Sequence, residues 1–173
     1  WLTNLKVRYS YGEVGSDKGA PRFNYIQLFE SGDNVTFGKN QNVSYGHLYT
    51  EGSLAYHDAT WETAVKQNLG IEMTLFRKLT ASIDLFKEDR TGILMSRNSS
   101  APWMGAGLPS VNIGKTKNHG LELELGWNDK VGKDFSYFAK FNFSTSENRV
   151  VFKDDPNRLD DYLKAAGKPI GYQ

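Results

Sequence analysis

The segments Leu69-Gly70-Ile71-Glu72-Met73-Thr74-Leu75 and Leu79-Thr80-Ala81-Ser82-Ile83-Asp84-Leu85 place an apolar side chain at every odd position and a polar or small one at nearly every even position. Period two is the signature of a β-strand whose two faces meet different surroundings. Little more than the pair Arg77-Lys78 separates the two segments, so they read as neighbouring antiparallel strands joined by a tight turn. The second of them is followed as far as Leu94.

The same parity recurs in both directions along the chain. Leu5, Val7, Tyr9 and Tyr11 alternate with Lys6, Arg8, Ser10 and Gly12. Leu121, Leu123, Leu125 and Trp127 alternate with Glu122, Glu124 and Gly126, and Phe135, Tyr137, Ala139, Phe141 and Phe143 with Ser136, Lys140, Asn142 and Ser144, Phe138 being the exception. Five strands of roughly 8 to 16 residues are expected, longer than those of most sandwiches and suited to a tilted crossing of a membrane.

The connections alternate in length. A loop of about 50 residues, Gly15 to Lys66, is uncommon within a compact domain. The Arg77-Lys78 turn follows it, then a Gly-, Pro- and Ser-containing stretch from Met95 to Asn118, a short turn Asn128 to Asp134 containing Gly132, and a tail from Arg149 to Gln173. Short turns at one rim and long loops at the other are the pattern of a bacterial outer-membrane barrel. On that reading the first, third and fifth strands run outward, and Trp127, Phe135 and Tyr137 sit near the periplasmic rim, where an aromatic girdle is expected.

Composition narrows the alternatives. With 21 Lys and Arg against 20 Asp and Glu, the formal charge of +1 gives no single-sign field for nucleic acid. The absence of Cys excludes a disulfide framework, zinc thiolates and a cysteine nucleophile. No stretch approaches the roughly 18 apolar residues of a membrane-crossing helix, which does not bear on a barrel whose strands need only every second residue to face lipid. A soluble, secreted β-sheet carbohydrate-binding module with the same alternation and a closed core is the rival reading. Five strands cannot close a barrel, and open edges in lipid leave unpaired backbone groups at several kcal/mol each, so the all-β reading makes this chain part of a larger wall.

Several strings taken together resemble the SusC/RagA-type TonB-dependent outer-membrane transporters of Bacteroidetes. They are Leu5 to Gly15, Thr60-Trp61-Glu62 with Lys66 to Glu72, Ser82 to Thr91, Asn112 to Leu123, and Gly167-Lys168-Pro169-Ile170-Gly171. Their order and spacing match over most of the chain. The resemblance implies a transmembrane barrel of 22 antiparallel strands in the bacterial outer membrane, of which residues 1–173 are a late segment, with the plug, the TonB box and the signal peptide absent from it. It implies uptake of a bulky nutrient, an oligosaccharide before a peptide, energised through TonB, with a SusD-like surface lipoprotein as lid. It disfavours a siderophore or cobalamin importer. No enzyme activity and no cofactor are expected.

Candidate residues follow from the two faces. Glu72, Glu122, Glu124, Lys140 and Asn142 are expected to face a polar lumen. Glu122 and Glu124 project to the same side about 7 Å apart, but without an apolar environment to raise one pKa they read as solvated carboxylates rather than an acid–base pair. Trp61, Trp103, Tyr25 and Tyr49 lie in the inferred extracellular loops, and flat aromatics there are candidate contacts to sugars or peptides. Trp103, after Pro102 and beside Met104, is the best candidate for exposure. His47, His57 and His119 lack metal-ligand spacing, His57-Asp58 reads as a polar loop pair, and His119 is expected at the start of a strand. Asp154, Asp155, Asp160 and Asp161 lack the alternation and central Gly of a calcium loop.

Overall fold

A computed structural model describes residues 1–39, 43–98, 107–156 and 160–171. Seven strands follow in order: β1 (Leu2–Ser16), β2 (Phe29–Phe37), β3 (Val43–Glu51), β4 (Glu62–Leu75), β5 (Leu79–Met95), β6 (Val111–Val131) and β7 (Phe135–Phe152), with a 3₁₀ turn at Asp161–Leu163. Five of them form one antiparallel sheet in the order β1-β4-β5-β6-β7, and β2 and β3 form a separate hairpin.

Register carries the sequence parity into space. Val7, Ile71, Ile83, Leu123 and Phe143 stand opposite one another in a single row across all five strands. Leu5, Met73, Ala81, Leu125 and Phe141 form the row on one side of it. The alternate rows, Lys6-Glu72-Ser82-Glu124-Asn142 and Arg8-Gly70-Asp84-Glu122-Ser144, carry polar residues apart from Gly70. Because side chains alternate sides, odd residues share one face of the sheet and even residues the other, and a slip of one residue would exchange them.

Among the described residues, nothing covers the apolar face. Ala64 is the one buried hydrophobic residue among those described, while Val7 is 61% and Phe141 55% exposed. A soluble sandwich needs those side chains buried, since each large apolar group left in water forfeits roughly 1.5–3 kcal/mol. The single uncovered layer therefore overturns the soluble binding-module reading and leaves lipid as the solvent of the odd face. Along β7 the apolar stretch from Phe135 to Phe143 covers about 26 Å of strand, or about 20 Å along the membrane normal at a tilt of about 40°.

The strands outrun the sequence-based expectation. β6 begins at Val111 rather than near Leu121, so the third connection is shorter than Met95 to Asn118, and β7 continues to Phe152 rather than ending before Arg149. The reason is that alternation stops where both faces are polar: the odd positions become Lys87 and Asp89 on β5, Lys115, Lys117 and His119 on β6, and Glu147 and Arg149 on β7. Hydrogen-bonded pairing continues above the apolar band without a hydrophobic signal to mark it. His119 consequently lies inside β6, not at a strand start. The long first loop is also partly ordered: β1 extends to Ser16, β4 starts at Glu62, and the β2–β3 hairpin stands between them. Register shifts at Ser31/Asn34 and Asn34/Val35 interrupt its alternation and hid it from a period-two reading.

The β4–β5 connection at the short rim is as tight as expected, and the β6–β7 connection is tighter. Leu75 accepts a hydrogen bond of 3.0 Å from the Lys78 amide, and the two residues between, Phe76 and Arg77, have φ of 54° and 57°. Leu75 pairs with Leu79, so Phe76, Arg77 and Lys78 make the connection, and left-handed geometry at the two turn centres gives it a twist that matches that of the strands. The β6–β7 turn needs only Gly132 to Asp134, with Gly132 at φ 70°, in place of the longer Asn128 to Asp134 turn. Both tight turns lie at one rim and both long connections at the other, as the alternation of loop lengths predicted.

Ile83 in the middle of the apolar band and Ser82 beside it make a paired test. In full-length protein folded into lipid vesicles, Ile83→Lys is expected to lower the unfolding free energy by about 2–4 kcal/mol and Ser82→Lys by less than about 0.5 kcal/mol. Equilibrium urea titration reads both.

Candidate functional site

The even face carries a lattice of charge built by cross-strand register. Arg8 on β1 reaches over β4 to β5, where its Nη2 donates to both carboxylate oxygens of Asp84 at 2.8 Å. It can do so because the residue between them in the row is Gly70. A Cβ at Gly70 would overlap the Arg8 side chain, so the missing side chain is the channel through which the guanidinium passes. Arg8 Nε also lies 3.3 Å from Glu72, and Lys6 Nζ 3.5 Å from the same carboxylate. Ser82 donates to Asp84 at 3.4 Å.

A second cluster sits higher on this face. Arg90 pairs with Glu88 at 2.8 Å and Glu62 at 3.0 Å, and Lys66 stands 3.5 Å from Glu88. Glycines again make room for neighbours: Gly120 lies under the ring of Phe86, and Gly126 under the Thr80 hydroxyl. Thr80 donates to the Gly126 carbonyl at 3.2 Å.

Of the residues read from the sequence as lumen-facing, Glu72, Glu124, Lys140 and Asn142 line one concavity of about 570 Å³ together with Arg8 and Asp84. Glu122 occupies the same face, opposite Asp84 and Ser144. Glu122, Glu124, Lys140 and Asn142 have no side-chain partner among the described residues, and Glu122 and Glu124 are exposed.

The aromatic candidates are not brought together. Trp61 packs its indole on Gly15, on the odd-numbered face. Tyr25 meets Phe23 edge to face at 6.4 Å, and Tyr49 stands exposed opposite Ser31 in the β2–β3 hairpin. Trp103 lies outside the described residues. In the tail Lys164 donates to Asp161 at 2.6 Å and holds that carboxyl below its ordinary pKa, and Asp155 accepts from the Ala165 and Ala166 amides.

Arg8, Asp84 and Gly70 were not singled out from sequence as a site. The signal was present: Arg8 and Asp84 are both even residues, and strand pairing through Leu69–Leu75 aligns them with Gly70. Reading it required the register, which period two alone does not supply.

The TonB-dependent receptor-like β-barrel family matches residues 1–172. The chain belongs to that family. It is thus a segment of a TonB-dependent receptor barrel in the bacterial outer membrane, and the unclosed sheet is a portion of its wall. Among curated relatives it is 28% identical to TonB-dependent receptor P39 of Formosa agariphila over 99% of the chain and 16% of the relative. It is 23% identical to TonB-dependent receptor SusC of Bacteroides thetaiotaomicron over 96% of the chain and 17% of the relative. The fold superposes on the RagAB peptide importer in its open-open state with a TM-score of 0.71 at 21% identity, covering 88% of the chain and 16% of that structure. The closed-closed state gives a TM-score of 0.67. The chain therefore spans about a sixth of the length of these receptors.

Within this receptor barrel the Arg8–Asp84 pair is half exposed on one side and mostly covered on the other, with side-chain exposures of 48% and 17%. A double-mutant cycle of Arg8→Ala and Asp84→Ala in the full-length receptor is expected to give a coupling of about 1 kcal/mol. The same cycle in a Gly70→Ala background is expected to give about zero. Equal coupling in both backgrounds would show that Gly70 is not the passage.

Proposed function

We propose that the parent receptor imports a bulky, polar nutrient across the outer membrane, energised through TonB, and that this chain supplies part of the channel wall and the extracellular rim. The observation that supports the reading is the pairing of a lipid-suited odd face with a hydrated, charge-mixed even face. Cations and anions on the even face largely neutralise one another through Arg8, Asp84, Glu72, Arg90, Glu88 and Glu62. Such a wall presents no strong field of either sign, and it suits a solute recognised by hydroxyl and amide groups rather than a highly charged one.

Glu122, Glu124, Lys140 and Asn142 are the groups left for solute or for the protein segment that fills the lumen. Trp61, Tyr25, Tyr49 and Trp103 are proposed as rim contacts. Transport of this kind makes and breaks no covalent bond. In a barrel of 22 strands the five sheet strands here form about a quarter of the wall. A plug and a TonB-contacting segment elsewhere in the receptor would gate the path, and a SusD-like surface lipoprotein would close it from outside.

An oligosaccharide is the substrate class proposed first. A peptide is the second reading, supported by the fold shared with a peptide importer.

Cells carrying the full-length receptor and its surface lipoprotein, offered a fluorescent oligosaccharide or a fluorescent peptide, provide the test. Accumulation is expected to cease on collapse of the proton-motive force or loss of TonB. Uptake that continues unchanged under both contradicts an energised importer. Lys140→Ala is expected to raise the half-saturating concentration of the accepted solute about fivefold, the value of one hydrogen bond.

A further inference from the structure

The odd face does not end where its apolar band ends. On β6 and β7 the last row of the band is Leu121 opposite Thr145, the next is His119 opposite Glu147, and the next is Lys117 opposite Arg149, with Lys115 beyond. Lys117 stands four residues above Leu121, about 13 Å along the strand and about 10 Å along the normal at the usual tilt. The polar headgroup layer of a bilayer begins where the hydrocarbon core stops and extends about 5–8 Å beyond it, and long basic side chains bend their charge toward it.

Parity decides which way these cations point. They share the odd face with Leu121 and Leu123, so they look out of the barrel toward lipid, whereas Lys66 and Arg90 look into the lumen. The height is that of the outer leaflet, because the long connections lie at this rim.

The patch is concave. Lys117, His119, Glu147, Arg149, Val151 and Gly167 line a hollow of about 450 Å³. The C-terminal segment helps to wall it, with the Gly167 amide donating to the Val150 carbonyl at 2.7 Å. Glu147 is the acid within it; Arg149 pairs with Glu147, and His119 Nε2 lies 3.9 Å from it. Lys87, on the neighbouring strand, pairs with Asp89 at 2.7 Å. Lys115 and Lys117 have no ion-pair partner among the described residues. The hollow thus retains positive charge beside apolar Val151, directly above a lipid-facing surface.

We infer that this hollow binds the phosphate-bearing headgroup of an outer-leaflet lipid, with Lys117 and Arg149 as its phosphate contacts, Lys115 adding charge, and Val151 and Leu121 beneath the acyl or sugar portion. Lys117 suits phosphate as a mobile point charge, and Arg149, whose Nε–Nη2 edge is held by Glu147, has its Nη1 donors left for a phosphate oxygen. The site rests on the outer-membrane barrel, not on the identity of the imported solute.

The test uses the full-length receptor extracted in mild detergent, with native mass spectrometry and phosphorus analysis to count tightly held phosphorylated lipid. Lys115→Ala/Lys117→Ala/Arg149→Ala is expected to lower retained lipid by about fivefold for each cation that contacts it. The control Lys66→Ala/Lys140→Ala, which removes cations from the even face, is expected to leave retention unchanged. Two further arms use wild-type receptor: a dephosphorylated form of the same lipid should bind weakly, and excess inorganic phosphate should not strip the lipid. Equal retention by the triple variant and wild type overturns the proposal, as does equal loss in the control. Complete displacement by inorganic phosphate overturns it in favour of a soluble-anion site. A change of oligomeric state with unchanged lipid overturns it in favour of a protein contact.

Discussion

The strand register holds the rest of the structure in place. Val7, Ile71, Ile83, Leu123 and Phe143 align only because each antiparallel pair sets odd residues opposite odd residues across all five strands. Were one pair displaced by a single residue, a charged row would enter lipid on one side of the slip and an apolar row would enter water on the other. The penalty for a basic residue at the bilayer midplane, about 2–4 kcal/mol, falls on several residues at once. The same physics requires the edges β1 and β7 to find partners, since unpaired amides and carbonyls are not tolerated in hydrocarbon.

Charge on the even face plays a different part. Exposed ion pairs are worth about 0–1 kcal/mol each, so Lys6–Glu72 and Lys66–Glu88 add little to stability. Their effect is to keep the inner surface wet and balanced. Arg8 is distinct, because it bridges β1 to β5 across Gly70 and ties together strands that share no backbone hydrogen bonds. Glycine at that point weakens β4 locally but opens the route for the guanidinium.

Much of the fold was legible in the sequence for a physical reason. Lipid on one side and water on the other impose a period of two, and Leu69 to Leu75, Leu79 to Leu85 and Leu121 to Trp127 obey it closely. Strand order and the two tight turns followed. Where both faces meet water the constraint disappears, and there the reading fell short: Val111 to Gly120, Thr145 to Phe152 and the β2–β3 hairpin went unrecognised as strands. The face that Glu72, Glu124, Lys140 and Asn142 share was legible residue by residue, because parity alone assigns a face. The Arg8–Gly70–Asp84 alignment was not, since it depends on which residues of three strands stand opposite one another.

Site-directed spin labelling of single-Cys variants at Ile71 to Leu75 and Phe141 to Phe143, in the full-length receptor reconstituted in bilayers, tests the division of faces most directly. The labels at Ile71, Met73, Leu75, Phe141 and Phe143 should be accessible to oxygen and shielded from a polar reagent, and those at Glu72, Thr74 and Asn142 the reverse. Odd positions shielded from both reagents would mean a protein core in place of lipid, and would contradict the membrane wall on which the account depends.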